Sequence, residues 1–197
     1  GLRRRVKAIV GLRNPGPEYS GTRHNLGFEV VEAVADRLGE RLKRGPSRVR
    51  CEIAETRVDG EKLVLAAPLS YMNESGGPVR ALADYFDVDT RRDLLVVHDD
   101  IDLPFGKLRM QVGGGTAGHN GLRSIERALG HRDFHRLKAG VGRPPGRMDP
   151  AEFVLRRFTS AERAEIDLLV VDAAEAALAW VGDLEKATQM AGQRRPA

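Results

Sequence analysis

His24 and Asp99 are the residues of this chain whose types could together activate a water molecule. His24 lies in the segment Thr22-Arg23-His24-Asn25, near an expected helix start, and Asp99 follows the apolar run Leu94-Leu95-Val96-Val97. A carboxylate bonded to one imidazole nitrogen fixes the tautomer and makes the other nitrogen a better base near neutral pH. A solitary histidine at a helix start is more often solvated or structural. The expectation therefore rests on the two residues meeting, which a sequence does not show. Asparagines recur in the same kind of loop, at Asn14, Asn25, Asn73 and Asn120. An amide can hold a peptide backbone or donate to a developing oxyanion without titrating, and one such donor is worth on the order of 10²–10³ in rate. Taken singly, each is more often a turn or cap residue.

The segment Gly113-Gly114-Gly115-Thr116-Ala117-Gly118-His119-Asn120 begins like a phosphate-binding loop. His119-Asn120 stands where such a loop needs Lys and Ser/Thr, which argues against a nucleoside triphosphatase. Its backbone N–H groups could still serve an oxyanion or phosphate at a helix start, with Asn120 as a helix cap. Other chemistries fail on inspection. There is no G-x-S-x-G nucleophile elbow and no H-E-x-x-H. His131 and His135 have i, i+4 spacing, but no zinc-protease glutamate lies between them. Cys51, the single cysteine, falls inside an expected strand and reads as a buried, inert thiol. Neither a metal nor a cofactor is expected. Water attack assisted by a general base remains.

These residues need a scaffold that brings distant loops together. Val6 to Leu12 reads as a buried strand ending in the turn-rich Asn14-Pro15-Gly16-Pro17. Asn25 is placed to cap a helix whose apolar face carries Phe28, Val31, Val34, Ala35 and Leu38, with Gly39 at its end. Cys51–Val58 and Lys62–Ala66 predict strands joined at Asp59-Gly60, a hairpin turn. Further strands are expected at Leu94–Val97, Lys107–Val112 and Leu137–Gly142, and helices at Pro78–Phe86 and Asn120–Leu129. One long amphipathic helix is expected from Ala161 to Met190, with Trp180 as a packing anchor. Alternating strands and helices predict an α/β layered domain around a mixed sheet, with ligands in the loops at one end of it.

The chain has 197 residues, 41% of them hydrophobic, which suits one domain over 1–190 with a flexible tail at 191–197. No apolar stretch is long enough to span a membrane, and the arginine-rich start lacks the apolar core of a signal peptide. With a lone cysteine, these features predict a cytoplasmic protein. A net charge of +4 suits a polyanionic partner without demonstrating one.

In chain order, the polar segments resemble the signature blocks of bacterial-type peptidyl-tRNA hydrolases. The blocks are Gly11-Leu12-Arg13-Asn14-Pro15-Gly16 with Tyr19 and Thr22-Arg23-His24-Asn25-Leu26-Gly27, then Ser70-Tyr71-Met72-Asn73-Glu74-Ser75-Gly76. They continue with His98-Asp99-Asp100-Ile101-Asp102-Leu103-Pro104, Gly113-Gly114-Gly115 through Gly118-His119-Asn120-Gly121-Leu122, and Phe134-His135-Arg136-Leu137 with Gly140-Val141-Gly142-Arg143-Pro144. The resemblance implies a mixed-sheet α/β monomer that cleaves peptides from the 3′ end of tRNA, engaging the acceptor arm, with no cofactor. It implies His24 as general base and Asp99 as the residue orienting it. Asn14, Asn73 and Asn120 would bind the peptide backbone, the water or the oxyanion, and Met72 would line the wall beside the ester. Tyr19 would lie near the terminal sugar, and Gly118 and His119 beside the channel. Three positions depart from the family's habit: Arg13 for a glycine, Asp100 for a glutamate, and Gln111 in a basic pair with Lys138 expected at the tRNA 5′-phosphate. Half of that clamp is neutral here. A catalytically silent RNA-binding relative, or a small-ester hydrolase indifferent to RNA, is the competing reading. The joint presence of His24, Asp99, Asn14 and Asn120 favours the esterase.

Overall fold

The apolar run after Arg5 forms strand β1 (Val6–Gly11), near the middle of the sheet in the computed structural model, which describes residues 5–197. Residues 1–4 of the expected domain lie outside that range. The other strands are β2 (Lys43–Arg44), β3 (Cys51–Val58), β4 (Glu61–Pro68), β5 (Leu94–Asp100), β6 (Leu108–Val112) and β7 (His135–Gly140). Among the described residues they make one seven-stranded sheet in the order β2-β3-β4-β1-β5-β7-β6. β4, β1, β5 and β7 run parallel, whereas β2, β3 and β6 join antiparallel at the two sides. The sheet is mixed, as the pattern of elements predicts.

Helices cover both faces, which is why the central strands are apolar on both sides. Ile9, Leu63, Leu65, Leu95 and Val97 pack against α1 (Leu26–Arg37) and α5 (Ser160–Gly182). Ala8, Val10, Val64, Val96 and Leu94 face the layer of α2 (Gly76–Phe86) and α3 (Asn120–Leu129). Helix α4 (Pro150–Val154) and helix α6 (Leu184–Gln193) complete the chain. No helix among the described residues is long and apolar enough to cross a membrane.

Several expectations change. The long C-terminal helix is two helices, because Asp183 turns extended (φ −156°, ψ 97°) and its carboxylate accepts from Lys186 N. Asp183 thus satisfies an orphan donor at the start of α6, which makes the break favourable. The expected flexible tail is tied down instead. α6 reaches Gln193, and Arg194 is buried against Glu165, Asp172 and the Gly106 carbonyl at 2.7–2.9 Å. β5 extends through Asp100, so Asp99 stands in the strand and not after it. Neither β2 nor α4 was expected, since two and five residues are too few to show a hydrophobic period. Trp180 is buried and donates from Nε1 to His135 Nδ1 at 2.8 Å, which occupies one nitrogen of the i, i+4 histidine pair.

Candidate active site

Parallel pairing places the C-terminal ends of β1, β4, β5 and β7 at one side of the sheet, and the loops leaving the first three gather there. Two short 3-10 turns, Pro17–Tyr19 and Arg23–Asn25, carry the chain from β1 to α1 and set His24 beside the end of β5. His24 Nδ1 lies 2.9 and 3.1 Å from the Asp99 carboxylate oxygens. His119 Nε2 lies 2.9 Å from the same carboxylate. Both His24 and Asp99 are buried.

Neighbouring bonds decide the tautomer of His119. Its Nδ1 accepts from the backbone N–H groups of Gly121 and Leu122 at 3.1 and 3.3 Å, so Nε2 carries the proton given to Asp99. His119 is thereby the cap of α3, the role expected of Asn120. Three ligand atoms of His24, Asp99 and His119 lie within 4.8 Å of one another, a spacing that could gather a cation. Coordination through Nε2 would require His119 to carry its proton on Nδ1, against two N–H donors. The donor set therefore fits a hydrogen-bonded triad better than a metal.

Burial disfavours a charged His24, but Asp99 outweighs it, and the imidazole pKa is raised above its ordinary value. Burial would likewise raise the Asp99 carboxyl, yet His24 and His119 hold it well below the usual carboxylate range. His98 behaves differently. Its Nδ1 is 2.8 Å from the Asp99 carbonyl, and burial and His119 push its pKa down to about 3, so it is neutral.

A cavity of about 290 Å³ opens over these groups. Asn14, Met72, Asn73, Gly118 and Asn120 line it with His24, Asp99 and His119. Asn14 is held on three sides. Its Oδ1 accepts from Met72 N at 2.7 Å, and its own N–H and carbonyl bond the Asn25 amide at 2.8 and 3.0 Å. With Oδ1 occupied, Nδ2 is the group Asn14 can offer a ligand. Asn25 thus braces a cavity residue and makes no side-chain cap, contrary to expectation.

Other expected residues fall outside. Tyr19 does not line the cavity but packs edge-on against the half-exposed Tyr71, ring centroids 6.3 Å apart. Lys138 does line it, 3.8 Å from Asp100. Gln111 does not meet Lys138: it sits opposite Arg136 in the β6–β7 pair, and its amide donates to Gly113 O at 3.0 Å. The residue opposite Lys138 is Arg109, whose exposed side chain makes no hydrogen bond or ion pair with protein among the described residues. Arg13 puts no cation in the cavity, because it pairs with Glu52, donates to Pro68 O and stacks on Phe28. Cys51 is buried, which pushes its thiol up to about 12. The wall formed by Pro150, Ala151, Val154 and Leu155 was missed. Its signal was Asp149-Pro150, an N-cap residue followed by proline at the first helical position.

A profile of the family described as peptidyl-tRNA hydrolase matches residues 8–196. A peptidyl-tRNA hydrolase of Frankia casuarinae is 55% identical over 175 residues, covering 89% of this chain and 87% of that protein. One from Kineococcus radiotolerans is 52% identical, covering 85% and 87%. The crystal structure of peptidyl-tRNA hydrolase from Acinetobacter baumannii superposes with a TM-score of 0.91 at 34% identity, over 100% of both chains.

Proposed function

The chain belongs to the peptidyl-tRNA hydrolase family and hydrolyses peptidyl-tRNA, and we propose that His24, oriented by Asp99, is the general base of that reaction. The observation that carries this reading is the bond between His24 Nδ1 and Asp99 beside the cavity. With Nδ1–H given to the carboxylate, Nε2 keeps its lone pair. A water bonded to Nε2 attacks the ester carbonyl carbon and passes its proton to that nitrogen. The carbonyl electrons move to oxygen, and the amide N–H groups of Asn14 and Asn120 stabilise the oxyanion. Collapse of the intermediate breaks the bond to the ribose 3′ oxygen, which takes the proton back from the imidazolium. The products are a peptide with a free carboxylic acid and a tRNA with a 3′ hydroxyl.

Asn73 and Gly118 hold the peptide backbone in this reading, and Met72 supplies the apolar wall. Tyr19, beside Tyr71, lies toward the terminal sugar. At the 5′-phosphate, Lys138 works with Arg109, because the Gln111 amide is already used within its own chain. No metal takes part, in keeping with the His119 tautomer. The cavity is complete within one chain, which supports a monomer, and a substrate made by translation supports a cytoplasmic site of action.

His24→Ala tests the assignment. The single-turnover rate should fall by roughly the 10²–10⁴ that a general base contributes, while tRNA affinity, dominated by phosphate contacts, stays within a few-fold. Activity near that of the unsubstituted enzyme would remove His24 from this role.

A further inference from the structure

Arg136 is the largest fully buried side chain among the described residues, and no carboxylate bonds it. Glu126, which acts on it at longer range, pairs with Arg132 at 3.1 Å. A buried guanidinium without an ionic partner is costly, so its hydrogen bonds must offset much of that cost. They go to main-chain carbonyls: Gly115, Gly114 at 2.7 Å and Arg132 at 3.0 Å. Its plane stacks over Phe134 at 4.5 Å. With Gln111 on the Gly113 carbonyl, three consecutive glycine carbonyls are taken by side chains of β6 and β7.

The path of the chain gives this grip a purpose. Val112 pairs with His135, and His135 pairs with Leu95, four residues before Asp99. Gly113, bonded to the Phe134 carbonyl, therefore leaves the sheet five residue steps short of the level of Asp99, about 16 Å along the strand direction at ~3.3 Å per residue. The segment must climb back to deliver His119. Gly113, Gly114 and Gly118 all have positive φ (68°, 114° and 79°), so the backbone is intrinsically free to take other paths. None of the N–H groups from Gly114 to Gly118 donates to a protein acceptor among the described residues, and Gly115 to Gly118 line the cavity.

We propose that Arg136 is a positioning residue for the hydrolysis: by holding the glycine-loop carbonyls it sets His119 on Asp99 and leaves the loop's N–H groups for the substrate. This inference rests on the reading of His24 and Asp99 as base and orienting residue. Arg136 touches neither of them and acts through the loop.

Arg136→Met keeps the bulk and removes the donors, and Arg136→Lys keeps the charge with a shorter reach. The proteins are compared by steady-state kinetics on peptidyl-tRNA and by NMR of the His119 Nε2–H proton, with Ile166→Ala as a core truncation away from the site. In Arg136→Met, kcat should fall roughly 10- to 100-fold, the cost of one hydrogen bond to a charged group, with KM within about three-fold. The His119 resonance should be lost, while Arg136→Lys should recover part of both and Ile166→Ala should change neither. If Arg136→Met does not fold, the partial losses in Arg136→Lys carry the test. A resonance and kcat unchanged in the folded variants would overturn the proposal. Loss of the resonance with unchanged kcat would equally overturn the proposal, because the tether would then set His119 without serving the hydrolysis; the reading of His24 and Asp99, which His24→Ala tests separately, would stand.

Discussion

His24 and His119 reach the same carboxylate through different ring nitrogens, and the difference assigns their work. His119 spends Nδ1 on the start of α3 and Nε2 on Asp99, so no lone pair remains for chemistry. His24 spends only Nδ1 and keeps Nε2. Because Asp99 raises the His24 pKa, the proposed base is neutral only above that raised value, and the acidic limb of the pH–rate profile should follow it. Asp99→Asn removes the charge that offsets burial, so the limb should move to lower pH. The rate should fall by no more than the roughly 10²–10⁴ a base contributes. A pH–rate profile of that variant checks both, and an unmoved limb would separate Asp99 from His24. Arg109 offers a second test. Its side chain makes no hydrogen bond or ion pair with protein among the described residues, so its charge is free for a phosphate, and Arg109→Ala should flatten the log–log salt dependence of tRNA binding by about 0.9 for that contact. A salt series on both proteins reads the slope.

Elements place these residues through very close approaches. Helix α1 begins at Leu26, just after His24, and its second residue, Gly27, presses on β5. A Cβ at Gly27 would sit 2.1 Å from the Val97 carbonyl oxygen, and backbone on that side cannot swing away as a side chain can. Gly27→Ala should therefore push α1 off the strand that carries Asp99. Overpacking of this kind costs about 1–3 kcal/mol, so denaturant unfolding should register the loss. Turnover should fall with it, because His24 rides on the same turn. Full activity with lowered stability would mean that the His24 segment is fixed by Arg23 alone. Arg23 is the other anchor: it donates to the Arg156 and Arg157 carbonyls and pairs with Glu162, joining the His24 turn to the residues after α4.

Across the whole molecule, the last residues close a circuit between α5 and the turn after β5. Arg194 bonds Glu165 and Asp172 on α5 and the carbonyl of Gly106, while Pro196 lies against Gly106. Arg194→Ala should lower Tm while leaving kcat at a permissive temperature unchanged, since the strap touches no cavity residue. Thermal unfolding and turnover measured on the same preparation decide it, and a fall in kcat would connect the strap to the site. Most strands and helices in the body of the fold were legible in the sequence, as were the residue types that gather around the cavity. Both are local properties: apolar runs such as Leu94–Val97 and the polar blocks around His24, Asn73 and His119 lie within a few residues of one another. Which hydrogen-bond partner each polar group takes was not legible there. Asn25 could have capped α1 but bonds Asn14, Gln111 could have faced a phosphate but bonds Gly113, and Asp99 is shared by two histidines from separate loops. A polar side chain takes whichever partner lies within about 3 Å, and for Asp99 those partners are brought there by the order and direction of strands that chain position does not reveal.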